Sequence, residues 1–142
     1  MNLRDKLSVR FHIEDIREVL HFIQDDEQLR EEIYQLMFDE DDTVSYQALW
    51  TCTHFSKEDV EWLSQRQNEL IDAALTCQHS GKRRMFLNLL SQQQPANPPR
   101  MDFLDFCMER VISRREPGGV QSLCIKLAHQ LTCSIPELQQ EL

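Results

Sequence analysis

LREEIYQLMFDEDDTVSYQAL, residues 29–49, decides the fold class. Leu29, Ile33, Leu36 and Met37 recur at three- and four-residue steps, so they line one face of a helix, with Arg30, Glu31 and Glu32 on the other. Residues 39–42, Asp-Glu-Asp-Asp, then put four acids at the negative end of that helix's macrodipole, which favours a turn. Asp42 is placed to cap a second helix, whose inward stripe is Val44, Ala48, Cys52 and Phe55. The stretch therefore predicts one helical hairpin closed by an acidic turn.

The same reasoning extends in both directions. Ile13, Ile16, Leu20 and Ile23 predict an earlier helix ending near Gln24, and Asp25 with Gln28 reads as a capping box for the next. Ser56 has Asp59 at the third helical position and Phe55 stapled to Val60; it starts a helix with the inward set Val60, Leu63, Leu70, Ile71, Ala74 and Leu75. Residues 78–81 supply a turn into a helix carrying Met85, Phe86, Leu89 and Leu90. SQQQPANPPR, residues 91–100, ends it, because Pro95, Pro98 and Pro99 lack amide donors and restrict their predecessors; an exposed loop is expected.

Leu104, Cys107, Met108, Val111 and Ile112 predict the next helix. Residues 116–119 then turn the chain into one with Val120, Leu123, Cys124, Leu127, Ala128 and Leu131. Ser134 and Glu137 read as a final capping box, with Pro136 in its first turn. The helix after it is short, so the expectation is that it seals the core or that the chain continues beyond Leu142. Only Leu7, Val9, Phe11 and Ile13 alternate as a strand would, and three glycines in 142 residues leave few turns for a sheet.

The hairpins repeat. Val44, Lys82 and Val120 stand 38 residues apart, as do Ala48, Phe86 and Cys124, and Cys52, Leu90 and Ala128. Ile33 matches Ile71 in the preceding helices, and the third hairpin slips by one residue to Met108. Self-similarity at such a period marks a solenoid, in which each hairpin buries its face against its neighbours.

On LREEIYQLMFDEDDTVSYQAL, with its apolar helix, Asp-rich turn, Val44 and Ala48, the sequence resembles the HEAT (armadillo-type) helical repeats over about residues 29–133. The resemblance implies an all-α, right-handed α-α superhelix of about three hairpins, with an N-terminal helix and a short C-terminal helix. Within a single domain over residues 1–142 the parts are an N-terminal cap over 1–28, hairpins over 29–56, 57–94 and 95–133, and the start of a terminal helix over 134–142. A non-solenoid helical bundle is the alternative, because of the slip in the third hairpin and the Pro-rich insertion. The family pattern places Asp before the turn and Arg at the start of the second helix, which implies Asp39 and Arg83 as an inter-repeat pair. Ser45 and Gln121 occupy the Arg position in the first and third hairpins, so no continuous ladder is implied.

Charge narrows the partners. The net charge of -9 comes entirely from the first part: residues 1–60 carry 6 Lys and Arg against 15 Asp and Glu, and residues 61–142 carry 9 of each. Such a surface repels a phosphate backbone, so nucleic acid is not the expected partner of the whole chain, and a protein partner with a basic segment is. No run of about 18 apolar residues spans a bilayer and the N-terminus lacks an apolar signal core, so a cytoplasmic protein without membrane contact is expected. Five cysteines without CxxC spacing fit reduced thiols packed as small hydrophobes.

Candidate sites follow from charge and aromatics. Lys82, Arg83 and Arg84 fall in the first turn of a helix, where positive charge costs about 0.3 to 1 kcal/mol each. Together with Arg114 and Arg115 they are candidates for gripping an anionic partner; the plainer reading is solvation or neutralisation by the chain's own acids. Trp50 and Trp62 are candidate partner anchors, and core packing is the plainer use of both. Residues 39–42 lack the Gly and the distant Glu of a calcium loop, and the pairs His129 with Cys133 and Cys77 with His79 form no complete zinc set, so neither metal nor cofactor is expected.

No nucleophile lies in a recognisable catalytic context, and Ser80-Gly81-Lys82 lacks the glycines of a phosphate loop. The function expected is a non-enzymatic protein-interaction or scaffold module. The alternative is a nucleic-acid-acting protein of the DNA-repair glycosylase type, with Lys82, Arg83, Arg84, Arg110, Arg114 and Arg115 as its basic face.

Overall fold

A computed structural model describes residues 1–96, 98–113 and 118–133. Every regular element among them is an α-helix. The chain divides into two compact units, Met1–Glu58 and Asp59–Leu142.

The first unit is built around α4 (Asp42–Cys52), against which α1 (Leu3–Leu7), α2 (Ile13–Ile23) and α3 (Glu27–Leu36) all pack. Leu3, Leu7, Ile16, Val19, Ile33, Val44, Ala48, Leu49 and Cys52 are fully buried there, so most of the apolar stripes read from the sequence meet in one core, while Ile13 at the start of α2 is 37% exposed. The helix α1 is not visible in the apolar pattern. It is held by distant partners: Arg4 pairs with Asp39, and Lys6 Nζ lies 2.9 Å from Asp15 and 3.1 Å from Glu18 on α2.

Two predicted caps shift by one residue. Asp26, not Asp25, caps α3 by accepting from the Leu29 amide, while Asp25 takes a left-handed turn conformation (φ 59°), which Asp tolerates. Asp41, not Asp42, caps α4, accepting from the Thr43 and Val44 amides. Adjacent acids offer equal caps, and turn geometry chooses between them.

The second unit contains α5 from the boundary (Lys57–Ser64), α6 (Gln67–Thr76), α7 (Ser80–Ser91), α8 (Met101–Ser113) and α9 (Gly118–Thr132). The helix expected to run unbroken from Lys57 to Leu75 is interrupted between α5 and α6. Ser64 Oγ donates to the Glu61 carbonyl, and the Gln65 and Arg66 amides bond three residues back, which tightens the helix end into a turn. The helices α6 and α7 form one hairpin and α8 and α9 the next; α7 packs on α9, and α6 touches α8.

The Pro-rich loop is tucked in rather than exposed throughout. Gln93 and Pro99 are buried, Gln67 bonds Gln93, Gln94 and Ala96, and Arg100 reaches Asn68 and Asp72. Ile112, expected to face inward, is 75% exposed: it stands nine residues from buried Phe103, about 180° around the helix, on the face opposite the buried side of α8. The predicted start of a terminal helix over 134–142 lies outside the described residues.

The 38-residue register holds in both units. Ala48, Phe86 and Cys124 are buried, and so are Cys52, Leu90 and Ala128.

Candidate functional site

One register position does the same work in all three hairpins. Ser45 Oγ donates to the Met37 carbonyl at 2.6 Å, Arg83 Nη2 to the Cys77 carbonyl at 2.6 Å, and Gln121 Nε2 to the Val111 carbonyl at 3.2 Å. Each acceptor lies at the C-terminal end of the preceding helix, where carbonyls lack an intrahelical partner. Three different side chains thus brace the three turns. Asp39 accepts from Arg4, through Nε at 3.0 Å and Nη2 at 3.1 Å, and also from the Asp41 amide. The Arg4 guanidinium holds its carboxyl below the usual range.

The acidic turn is therefore partly structural. Asp39 and Asp41 cap and brace it, and Glu40 and Asp42 are exposed. Immediately before it stands Phe38, 42% exposed, with its ring edge-on to buried Tyr34 at 5.3 Å. Sequence reasoning did not single out Phe38. The available signal was its place two residues past a helix that already had its full inward stripe.

Trp50 and Trp62 are both half-buried. Trp50 packs edge-on against Phe11 at 6.0 Å within the first unit, and Arg66 lies 4.5 Å over the Trp62 ring in the second. Among the basic candidates, Lys82 and Arg83 are half-buried and Arg84 is exposed. Arg84 lies along Gly119 at the start of α9, so closely that a Cβ there would come within 3.3 Å of its Nε. Arg110 stacks on Phe106 at 4.9 Å. Arg114 and Arg115 lie outside the described residues.

The second unit also carries a cleft beside the Pro-rich loop, lined by Ile71 of α6, Leu90 of α7, Phe103 of α8 and Leu127 of α9. Gln67 and Gln130 supply its polar edge, and Gln130 Nε2 donates to the Ser91 carbonyl.

The histidines and cysteines are spread among local roles. His79 caps α7, its Nδ1 accepting from the Lys82 amide, and Cys77 Sγ donates to the His79 carbonyl. His129 Nε2 lies 3.8 Å from Cys133 Sγ. Among the described residues no three His, Cys, Asp or Glu side chains converge as a metal site, and no helix is long and apolar enough to cross a membrane.

Repeated hairpins with a common core register and a common brace define an α-helical repeat protein. A family described as HEAT repeat domain matches residues 3–142, and the chain belongs to it. HEAT repeats generally serve protein–protein interaction or scaffolding, and the family is typically non-catalytic. No curated protein and no solved structure matches the chain.

Proposed function

We propose that the protein is a non-enzymatic interaction module whose N-terminal unit receives a basic segment of a partner protein. The observation that carries this reading is Phe38, an aromatic ring 42% exposed and followed directly in the chain by the acidic residues 39–42. An exposed aromatic can anchor a partner's apolar side chain, and surrounding acids steer basic residues toward it.

The test is binding of a panel of synthetic helical peptides, graded from acidic to basic, to the full chain. Basic peptides are expected to bind best, with affinity falling as salt rises. Phe38→Ala should raise the dissociation rate, and Glu40→Lys should lower the association rate. Binding that ignores peptide charge would overturn the proposal.

The nucleic-acid alternative has less to support it, because Arg83 is engaged at a turn carbonyl and Arg110 on an aromatic face. It predicts duplex binding whose salt slope shrinks in the Lys82→Ala, Arg83→Ala, Arg84→Ala triple variant. A slope left unchanged by the triple variant removes that alternative.

A further inference from the structure

Among its described residues the second unit exposes three large apolar side chains, and all of them lie on its last hairpin: Met101 (50%) and Ile112 (75%) on α8, and Ile125 (55%) on α9. The helix period gives their direction. At about 100° per residue, Ile112 points opposite to Phe103, which is buried in the cleft beside Ile71 of α6. By the same count Ile125 points about 140° away from Gln130, which bonds the end of α7. Both isoleucines therefore face away from the α6–α7 hairpin.

The repeat register says what such a position does. Leu87 precedes Ile125 by 38 residues and is fully buried. It shares its face of α7 with Leu90 and Ser91, three and four residues on, and these meet α9: Leu90 beside Leu127 and Leu131 in the cleft, Ser91 through its bond to Gln130. Ile125 is thus the position through which one hairpin stacks on the next, left uncovered.

We infer that the outer face of the α8–α9 hairpin is a two-fold self-association surface, covered by the same face of a second copy of this chain. It presents the face that the preceding hairpin buries through Leu87, and its charges suit a copy of itself. The helix α8 exposes Asp105 and Glu109; α9 exposes Lys126 and His129 and contains no acid between Gly118 and Thr132. Among the described residues, Asp105, Glu109 and Lys126 have no ion-pair partner. A patch with acid on one helix and base on its neighbour complements itself under a two-fold axis, which sets α8 against the partner copy's α9. Setting α8 against α8 would oppose like charges, so the crossed arrangement is selected. Ile112 and Ile125 close the apolar centre.

This surface is independent of Phe38 and the acidic turn. Its test is sedimentation equilibrium of the full chain over a wide range of concentration. A reversible monomer–dimer equilibrium is expected, weakened about tenfold or more by Ile112→Glu or Ile125→Glu. Lys126→Glu should weaken it too, and joining Lys126→Glu to Asp105→Lys and Glu109→Lys should restore it. A chain that stays monomeric throughout overturns the inference, as does a dimer indifferent to the isoleucine variants. So does an Ile125→Glu variant that melts earlier than the parent at concentrations where the parent is monomeric, since the chain's own residues would then cover the face.

Discussion

The Ser45 hydroxyl donates to the Met37 carbonyl within a site that excludes water, Ser45 being 1% exposed. Ser45→Ala leaves a buried carbonyl at a helix end without its donor, which costs about 1 to 3 kcal/mol. Urea unfolding should show that loss for Ser45→Ala and a smaller one for Gln121→Ala, because Gln121 is half-exposed and water can replace it. Equal losses at the two positions would mean that burial does not set the strength of the brace.

The brace also marks where sequence reading succeeds and where it stops. The 38-residue spacing of Ala48, Phe86 and Cys124 was legible because every member is apolar and buried. Ser45, Arg83 and Gln121 were legible as one register position but not as one brace, because Ser, Arg and Gln share no side-chain class; only their common acceptor at a helix end shows the shared role. The helix α1 offers two apolar residues in five, too few for a period, and is placed by burial of Leu3 and Leu7, with Arg4 and Lys6 meeting acids outside the helix. The outward turn of Ile112 was hidden for the opposite reason: Met108, Val111 and Ile112 fit two overlapping stripes, and tertiary packing chose one. For the interaction surface, the acidic front was plain in the charge count, but the exposure of Phe38 depends on how Tyr34 fills the core beneath it.

Leu87 and Ile125 share a register position with opposite exposure, and this predicts unequal costs for the same truncation. Leu87→Ala removes fully buried methyl groups and leaves a cavity, at about 2 to 5 kcal/mol. Ile125→Ala, measured in dilute solution where no dimer forms, should fall within about 0.5 kcal/mol of the parent. Chemical denaturation of the two variants checks this directly; comparable losses would place Ile125 in the monomer's core.

Three ion pairs give the protein an acid-sensitive stability. Arg4 lowers the pKa of Asp39, Lys6 that of Asp15 and Arg100 that of Asp102, so each carboxyl binds its proton more weakly folded than unfolded. Their contribution is complete above the unfolded value near about pH 4 and vanishes as pH falls through the lower folded values, where the unfolded chain takes up protons first. Arg4→Ala should therefore lower the denaturation midpoint modestly at neutral pH and match the parent at about pH 2. A gap between the two that stays constant across this range would show that Arg4 acts through packing rather than charge.

The five thiols should separate sharply by reactivity. Cys107 and Cys124 are fully buried on facing helices, and contact with the Cys124 thiol together with burial pushes the Cys107 thiol far above its ordinary pKa. Because the thiolate is the attacking form, native Cys107 is inert to an alkylating agent. Cys52 is as deeply buried, Cys77 is half-buried, and Cys133 is exposed beside His129. Iodoacetamide labelling followed by mass spectrometry should modify Cys133 first and Cys77 next. Cys52, Cys107 and Cys124 should label only as fast as the protein opens, so urea accelerates them far more than it accelerates Cys133. Labelling of Cys107 as rapid as that of Cys133 in the absence of denaturant would mean that α8 and α9 do not pack as described.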